Sequence, residues 1–130
     1  MTKAASRVYV VDDDTSSRKA LGRLLKSAGF RVRLFTSAQE LLDSGPVEAE
    51  EMLILDVRMP GINGLELQKL LIAGGKALPI IFLTAFEDPR ARSEALKHGA
   101  VAFLMKPVDE EVLFEAIRKA EAMERTKPLP

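Results

Sequence analysis

Five short apolar runs, most ending on an acid, a lysine or a threonine, alternate along this chain with stretches whose apolar residues recur at helical spacing. Strands strung in that rhythm run parallel, because each needs a crossover helix to bring the chain back to the same edge. Parallel sheets are covered on both faces, so the alternation predicts a doubly wound α/β sheet. In such sheets ligands bind beyond the carboxyl ends of the strands, at the point where strand order reverses.

The first run, residues 8–11, is rich in β-branched side chains and bounded by acids. Thr15 or Ser16 is expected to cap a helix carrying Ala20, Leu21, Leu24, Leu25 and Ala28, with Gly29 as its stop. Residues 31–35 alternate polar and apolar, as an edge strand with one wet face does. Ser37 then caps a short helix with Ala38, Leu41 and Leu42, closed by Gly45 and Pro46. Residues 52–55 form the third strand, and a helix over 64–73 is expected to turn Leu65, Leu67, Leu70 and Leu71 largely inward before Gly74 and Gly75. Residues 79–83, almost wholly apolar, read as a central strand. Pro89 suits the first turn of a helix reaching His98. A fifth strand over 101–105 and a helix over 109–124 follow, the helix striped with Val112, Leu113, Ala116, Ile117 and Ala120. Residues 1–125 read as one domain and 126–130 as a tail or the stub of a linker.

A chain of 130 residues suits one hydrophobic core. Its 19 basic and 19 acidic side chains cancel, leaving no bulk field to hold nucleic acid or anionic lipid, so no direct nucleic-acid contact is expected. With no cysteine, disulfides, thiolate metal sites and cysteine nucleophiles are excluded. No apolar stretch approaches the roughly 20 residues of a membrane span. The first seven residues lack the apolar segment of a signal peptide, so no membrane partner and a cytoplasmic location are the expectation.

Strand ends carry the chemistry. The first apolar run stops on Asp12, Asp13 and Asp14, the third on Asp56, and the fifth on Lys106 and Pro107. As parallel neighbours these would gather several carboxylates and an ammonium at one edge, a setting for a divalent cation and a phosphoryl group. Singly, each has a plain alternative: the aspartates as acids at a helix N-terminus, Asp56 as a turn acid, Lys106 as a surface lysine. Asp14 is assigned that structural role.

The segments Val10-Val11-Asp12-Asp13, Asp56-Val57-Arg58-Met59-Pro60-Gly61 with Gly64, Leu83-Thr84-Ala85 and Lys106-Pro107 come in order at strand ends. Together they resemble the receiver domain of bacterial response regulators, the CheY-like phospho-acceptors of two-component signalling, across residues 7–122. The resemblance implies a flavodoxin-like (βα)5 sandwich whose parallel five-stranded sheet has the order 2-1-3-4-5. It implies that Asp56 is the phosphate acceptor, a carboxylate nucleophile toward the phosphohistidine of a histidine kinase or phosphotransfer protein. Asp12, Asp13 and Asp56 would be offset in part by Mg²⁺, with Mn²⁺ able to substitute. Asp13 and Asp56 would bind the metal directly, Asp12 mainly through metal-bound water, and the Arg58 backbone carbonyl would complete the protein's share. Lys106 would pair with Asp56 before phosphorylation and with a phosphoryl oxygen afterwards, followed by a cis bond to Pro107. Thr84 would donate to the phosphoryl group, and Phe103, where many relatives have Tyr, would move into the space its hydroxyl vacates. Thr84, Phe103 and Pro107 thus form the expected switch. Its output is the fourth helix, fifth strand and fifth helix, through which a phosphorylated homodimer would form. Arg58 and Phe86 would flank the path of water to the acyl phosphate, implying slow self-dephosphorylation. By this reading the chain is not an enzyme beyond phosphotransfer and self-dephosphorylation.

Three other functions compete. A phosphatase of the haloacid dehalogenase group would carry a DxDx[TV]-like strand end, whereas this chain has Asp12-Asp13-Asp14-Thr15 and no cap domain. A degenerate receiver acting only as a binding module would lack an acid, Thr84 or Lys106. A flavodoxin-like redox carrier would need a phosphate-cradling loop and more aromatics. His98 reads as a solvated helix end with nothing charged arranged around it, and Met52, Met59, Met105 and Met123 as packing. No helix-turn-helix, GGDEF-like or kinase segment is present, which fits a stand-alone receiver or one excised from a larger regulator.

Overall fold

The helices and strands follow from where the chain can hide apolar side chains while satisfying its backbone. In the computed structural model, which describes residues 7–45, 51–76 and 78–126, ten elements alternate strictly. They are β1 (Arg7–Val11), α1 (Thr15–Ser27), β2 (Arg31–Phe35), α2 (Ala38–Asp43), β3 (Glu51–Leu55), α3 (Gly64–Ala73), β4 (Ile80–Thr84), α4 (Pro89–Lys97), β5 (Ala102–Met105) and α5 (Glu110–Thr126). All strand pairs are parallel, in the order β2-β1-β3-β4-β5. This is the doubly wound, flavodoxin-like (βα)5 sheet expected. Residues 46–50 and 127–130, including Pro46 and most of the expected tail, lie outside the described residues; α5 itself continues through Thr126.

Alternate side chains of each strand point to opposite faces. On one face Val8, Val10, Ile54 and Ile81 pack with Leu21 and Leu25 of α1 and Leu113 and Ile117 of α5. On the other, Tyr9, Val11, Leu53 and Phe82 pack with Leu41 of α2, Leu67 and Leu71 of α3, and Ala91 and Ala95 of α4. The helices are unequal in their hold. Each fully buried Leu or Ile of α5 contributes about 1.5–3 kcal/mol, but α4 buries only two alanine methyls, about 0.8 kcal/mol each.

Several local expectations need correction. The cap of α1 is Asp14, whose carboxylate accepts from the Ser17 amide, because Asp14 is still extended and Thr15 is already the first helical residue. Asp14 is thus the structural acid of its cluster. In α3, Leu67 and Leu71 are buried but Leu70 is exposed, since it lies at the margin of the apolar stripe; Val112 of α5 is exposed for the same reason. Met52 and Met59 are packed inside, whereas Met105 and Met123 are largely exposed. His98 does have a charged neighbour: Glu94, one turn earlier, lies 3.1 Å from its Nε2 and carries a lowered pKa, chiefly through that hydrogen bond.

The third strand begins one residue earlier than expected, at Glu51, whose side chain is fully buried. A buried carboxylate is tolerated only when paired. The Tyr9 hydroxyl donates to it and Arg7 lies 3.7 Å away. The Tyr9 pKa is raised, first by burial and then by the Glu51 carboxylate, against the opposing pull of Arg33.

Candidate functional site

Strand register brings the marked residues together. Val11 pairs with Leu55 on one side and Phe35 on the other, so Asp12 and Asp56 leave the sheet side by side. The Asp12 amide donates to the Phe35 carbonyl and the Asp56 amide to the Val11 carbonyl, each at 3.1 Å. On the far side Thr84 pairs with Met105, and the Lys106 amide donates to the Thr84 carbonyl at 2.8 Å. Lys106 and Pro107 are joined by a cis bond.

The ammonium of Lys106 lies 2.7 Å from an Asp12 oxygen and 3.2 Å from Asp56. Sequence reasoning anticipated only the second partner, and the first is the shorter. Carboxylate oxygens of Asp12, Asp13 and Asp56 all come within 4.8 Å of one another. Asp12 and Asp56 are buried and Asp13 is exposed. Three converging oxygen donors with an open side suit a hard divalent cation such as Mg²⁺ or Mn²⁺.

Charge is finely balanced here. The pKa of Asp56 is raised, mainly by burial with a contribution from Asp12, although Lys106 and the Arg58 amide oppose it. For Lys106 burial is the largest single influence and lowers its pKa; the hydrogen bond to Asp12 and the charges of Asp56 and Asp12 together outweigh it, and the net shift is upward. The ionised Asp56 is therefore short of positive charge even with Lys106 beside it, and a cation at the edge would relieve it.

The loops contribute further contacts. The Arg58 amide donates to Asp56 Oδ1 at 3.3 Å, while its guanidinium stacks 4.8 Å over the Phe86 ring and stands 3.9 Å from Asp88. Thr84 is 1% exposed, and its hydroxyl oxygen accepts from the Phe86 amide at 3.4 Å. Phe103 is buried, its ring 5.8 Å from that of Phe82.

Two supports escaped the sequence reading. Arg18, one turn into α1, donates to the Asp12 carbonyl at 2.8 Å and fixes that loop from behind; a lone arginine on a helix gives no signal of this. Asn63 and Glu66 form a reciprocal capping box that starts α3 just past the Asp56 loop. Its N-x-x-E spacing was visible in the sequence.

A parallel (βα)5 sheet with acids and a lysine at its carboxyl edge defines a class of signalling domain. A family model described as the response regulator receiver domain matches residues 8–118; this chain belongs to that family. It is 43% identical over 124 residues to the transcriptional regulatory protein TdiR of Thauera aromatica, covering 95% of this chain and 55% of TdiR. It is 43% identical over 118 residues to the transcriptional regulatory protein FixJ of Bradyrhizobium diazoefficiens, covering 88% of this chain and 58% of FixJ. The solved structure of the response regulator StyR superposes with a TM-score of 0.87 at 43% identity, covering 94% of this chain and 62% of that one. The chain thus spans a little over half the length of these curated relatives. Among the described residues no helix is long and apolar enough to cross a membrane.

Proposed function

We propose that this chain is the phospho-acceptor switch of a two-component system, acting in the cytoplasm. The observation that carries the reading is the convergence of Asp56, Asp12 and Asp13 on one sheet edge with Lys106 within 3.2 Å of the acceptor. An Asp56 carboxylate oxygen attacks the phosphorus of a phosphohistidine on a histidine kinase or phosphotransfer protein. The new O–P bond forms as the P–N bond breaks, and the imidazole leaves. A Mg²⁺ or Mn²⁺ ion held by Asp12, Asp13, Asp56 and the Arg58 carbonyl would supply charge neutralisation for the transferring group. Lys106 moves its charge from Asp56 to a phosphoryl oxygen. Thr84 turns its hydroxyl to another, giving up the Phe86 amide. Phe103, already inward, holds the space behind Thr84 closed. Arg58 and Phe86, stacked on one another, screen the acyl phosphate from water, so self-dephosphorylation is slow.

The output surface is α4, β5 and α5. Each contributes an exposed apolar side chain, Leu96, Met105 and Val112 respectively, and a phosphorylation-dependent homodimer would cover them. Relatives are named as transcriptional regulators, and we assign any DNA contact to the part of such proteins that this chain does not span.

Incubation with acetyl phosphate and Mg²⁺ should add one phosphoryl group, read by intact mass and mapped to Asp56 by borohydride trapping. Light scattering with Mg²⁺ and beryllofluoride should then show monomers converting to dimers. Equal phosphoryl uptake by Asp56→Asn would refute the acceptor assignment.

A further inference from the structure

Helix α4 is the polar exception among the covering helices. Of its nine residues only Ala91 and Ala95 are buried, so apolar burial barely fixes its place. Beside the partly exposed ion pair of Lys69 with Glu94 at 3.6 Å, two directional hydrogen bonds do so instead, and both end on main-chain carbonyls. Gln68 of α3, 1% exposed, donates from Nε2 to the Ala95 carbonyl at 3.0 Å. That carbonyl also accepts from the Ala100 amide at 3.0 Å, so the glutamine completes the C-terminal turn of α4. Near the other end, Arg92 donates from Nη1 to the Phe103 carbonyl at 3.0 Å.

Gln68 is only half satisfied. Its Oε1 is the one buried side-chain polar atom among the described residues without a hydrogen-bond partner. Burying an acceptor unpaired is unfavourable, so a shifted helix that offered it a donor would compete with this arrangement. Room for a shift exists. A cavity of about 260 Å³ lies between the first turn of α4 and β5, lined by Glu87, Asp88, Pro89, Arg92, Phe103 and Met105. The start of α4 is also tied to the acceptor loop, because Arg58 stands beside its capping residue Asp88.

We propose that Gln68 and Arg92 are positioning residues that set the balance between two placements of α4, and through it the affinity of Asp56 for a phosphoryl group. This rests on the phospho-acceptor reading. On the phospho-acceptor reading the Thr84 hydroxyl moves toward the phosphoryl oxygen and away from the Phe86 amide, from which it accepts at 3.4 Å, and that amide opens the loop leading into α4. Bonds that hold α4 in its present place therefore oppose phosphoryl binding. By linkage, a ligand preferring one placement gains what the other placement loses.

Gln68→Leu keeps the volume and removes both the bond and the orphaned oxygen. Arg92→Ala cuts the second bond at an exposed position, so folding is not at risk. Arg90→Ala, on the same helix, is the charge control. Hydrogen exchange of α4 amides should rise about tenfold relative to those of α5 in both variants. Beryllofluoride, with Mg²⁺ saturating, should bind at least about threefold more tightly to both. Affinity for Mg²⁺ alone, and both readouts in Arg90→Ala, should match wild type. Unchanged exchange in α4, or exchange raised equally in all helices, overturns the positioning role. Faster α4 exchange with unchanged or weaker beryllofluoride binding overturns the coupling. A wild-type protein that does not bind beryllofluoride overturns the acceptor reading itself, and with it the coupling, while the exchange arm still decides whether the two bonds hold the helix.

Discussion

Gly64 opens α3 with its amide donating to the Val57 carbonyl at 2.8 Å, and it sits directly against the backbone of the proposed acceptor. A Cβ there would lie 2.2 Å from the Asp56 carbonyl oxygen, 3.0 Å from Val57 Cα and 3.1 Å from the Asp56 carbonyl carbon. A carbon–oxygen contact relaxes at about 3.3 Å, so Gly64→Ala must drive two backbones apart by ~1 Å. Overpacking costs about 1–3 kcal/mol, and the upper end applies where neither neighbour can rotate away. The better helix propensity of alanine returns up to about 1 kcal/mol, leaving a net loss of about 2 kcal/mol. For a domain of this size that lowers Tm by about 7 °C. A shift of this size in the acceptor's backbone should also slow phosphoryl uptake by about 100-fold. Gly22→Ala is the matched contrast. Its Cβ meets only the Leu34 side chain, at 3.1 Å, which can turn aside, so the mid-helix substitution should stabilise by about 0.5–1 kcal/mol. Thermal melts and acetyl phosphate labelling of both variants decide the matter. A Gly64→Ala protein melting within about 1 °C of wild type and labelling at the same rate would refute the reasoning.

Tyr9 is the only tyrosine and there is no tryptophan, so tyrosinate absorbance reports this residue alone. Its titration midpoint should lie above that of the same protein in urea; because the folded value is raised, the stability it contributes is present below the ordinary tyrosine pKa and lost as pH climbs through the folded one. Equal midpoints would dissolve the link to Glu51. Burial likewise raises the Asp56 pKa, so its ionised form weakens the metal-free protein at neutral pH. Asp56→Asn should raise the urea midpoint at pH 7 without metal, the advantage shrinking as wild type is protonated in acid; a lower midpoint for the variant would contradict this. Removing the stacked screen in Arg58→Ala or Phe86→Ala should shorten the phosphoryl lifetime several-fold, followed by loss of label after desalting, and a lifetime unchanged in both would show that neither side chain controls water.

The architecture was legible because short apolar runs alternate with stretches of helical spacing, each bounded by caps, glycines or prolines. The site was legible because its acids and lysine interrupt apolar runs, where a charge has no packing reason to be. What stayed hidden depends on pairing across the fold. Glu51 reads as a solvent-facing acid until Tyr9, 42 residues earlier, is placed against it. The preference of Lys106 for Asp12 is likewise set by how β1 and β5 flank β3 and β4, not by any local pattern. Gln68 looks like a gap in a leucine-rich helix; only the docking of α4 shows which carbonyl it meets. The Glu94–His98 contact, by contrast, was available from one-turn spacing alone.

Because the two bonds that seat α4 end on peptide carbonyls, which every amino acid supplies, they ask nothing of the side chains at those positions. Only the two alanines must stay small. Apart from Arg92, whose side chain supplies one of those bonds, the outward residues of the helix are thus free to change without disturbing the sheet. A new recognition code can be written there by substitution alone, leaving the acid edge and its chemistry as they were, and a duplicated copy of this domain could acquire a different partner before it lost its signal.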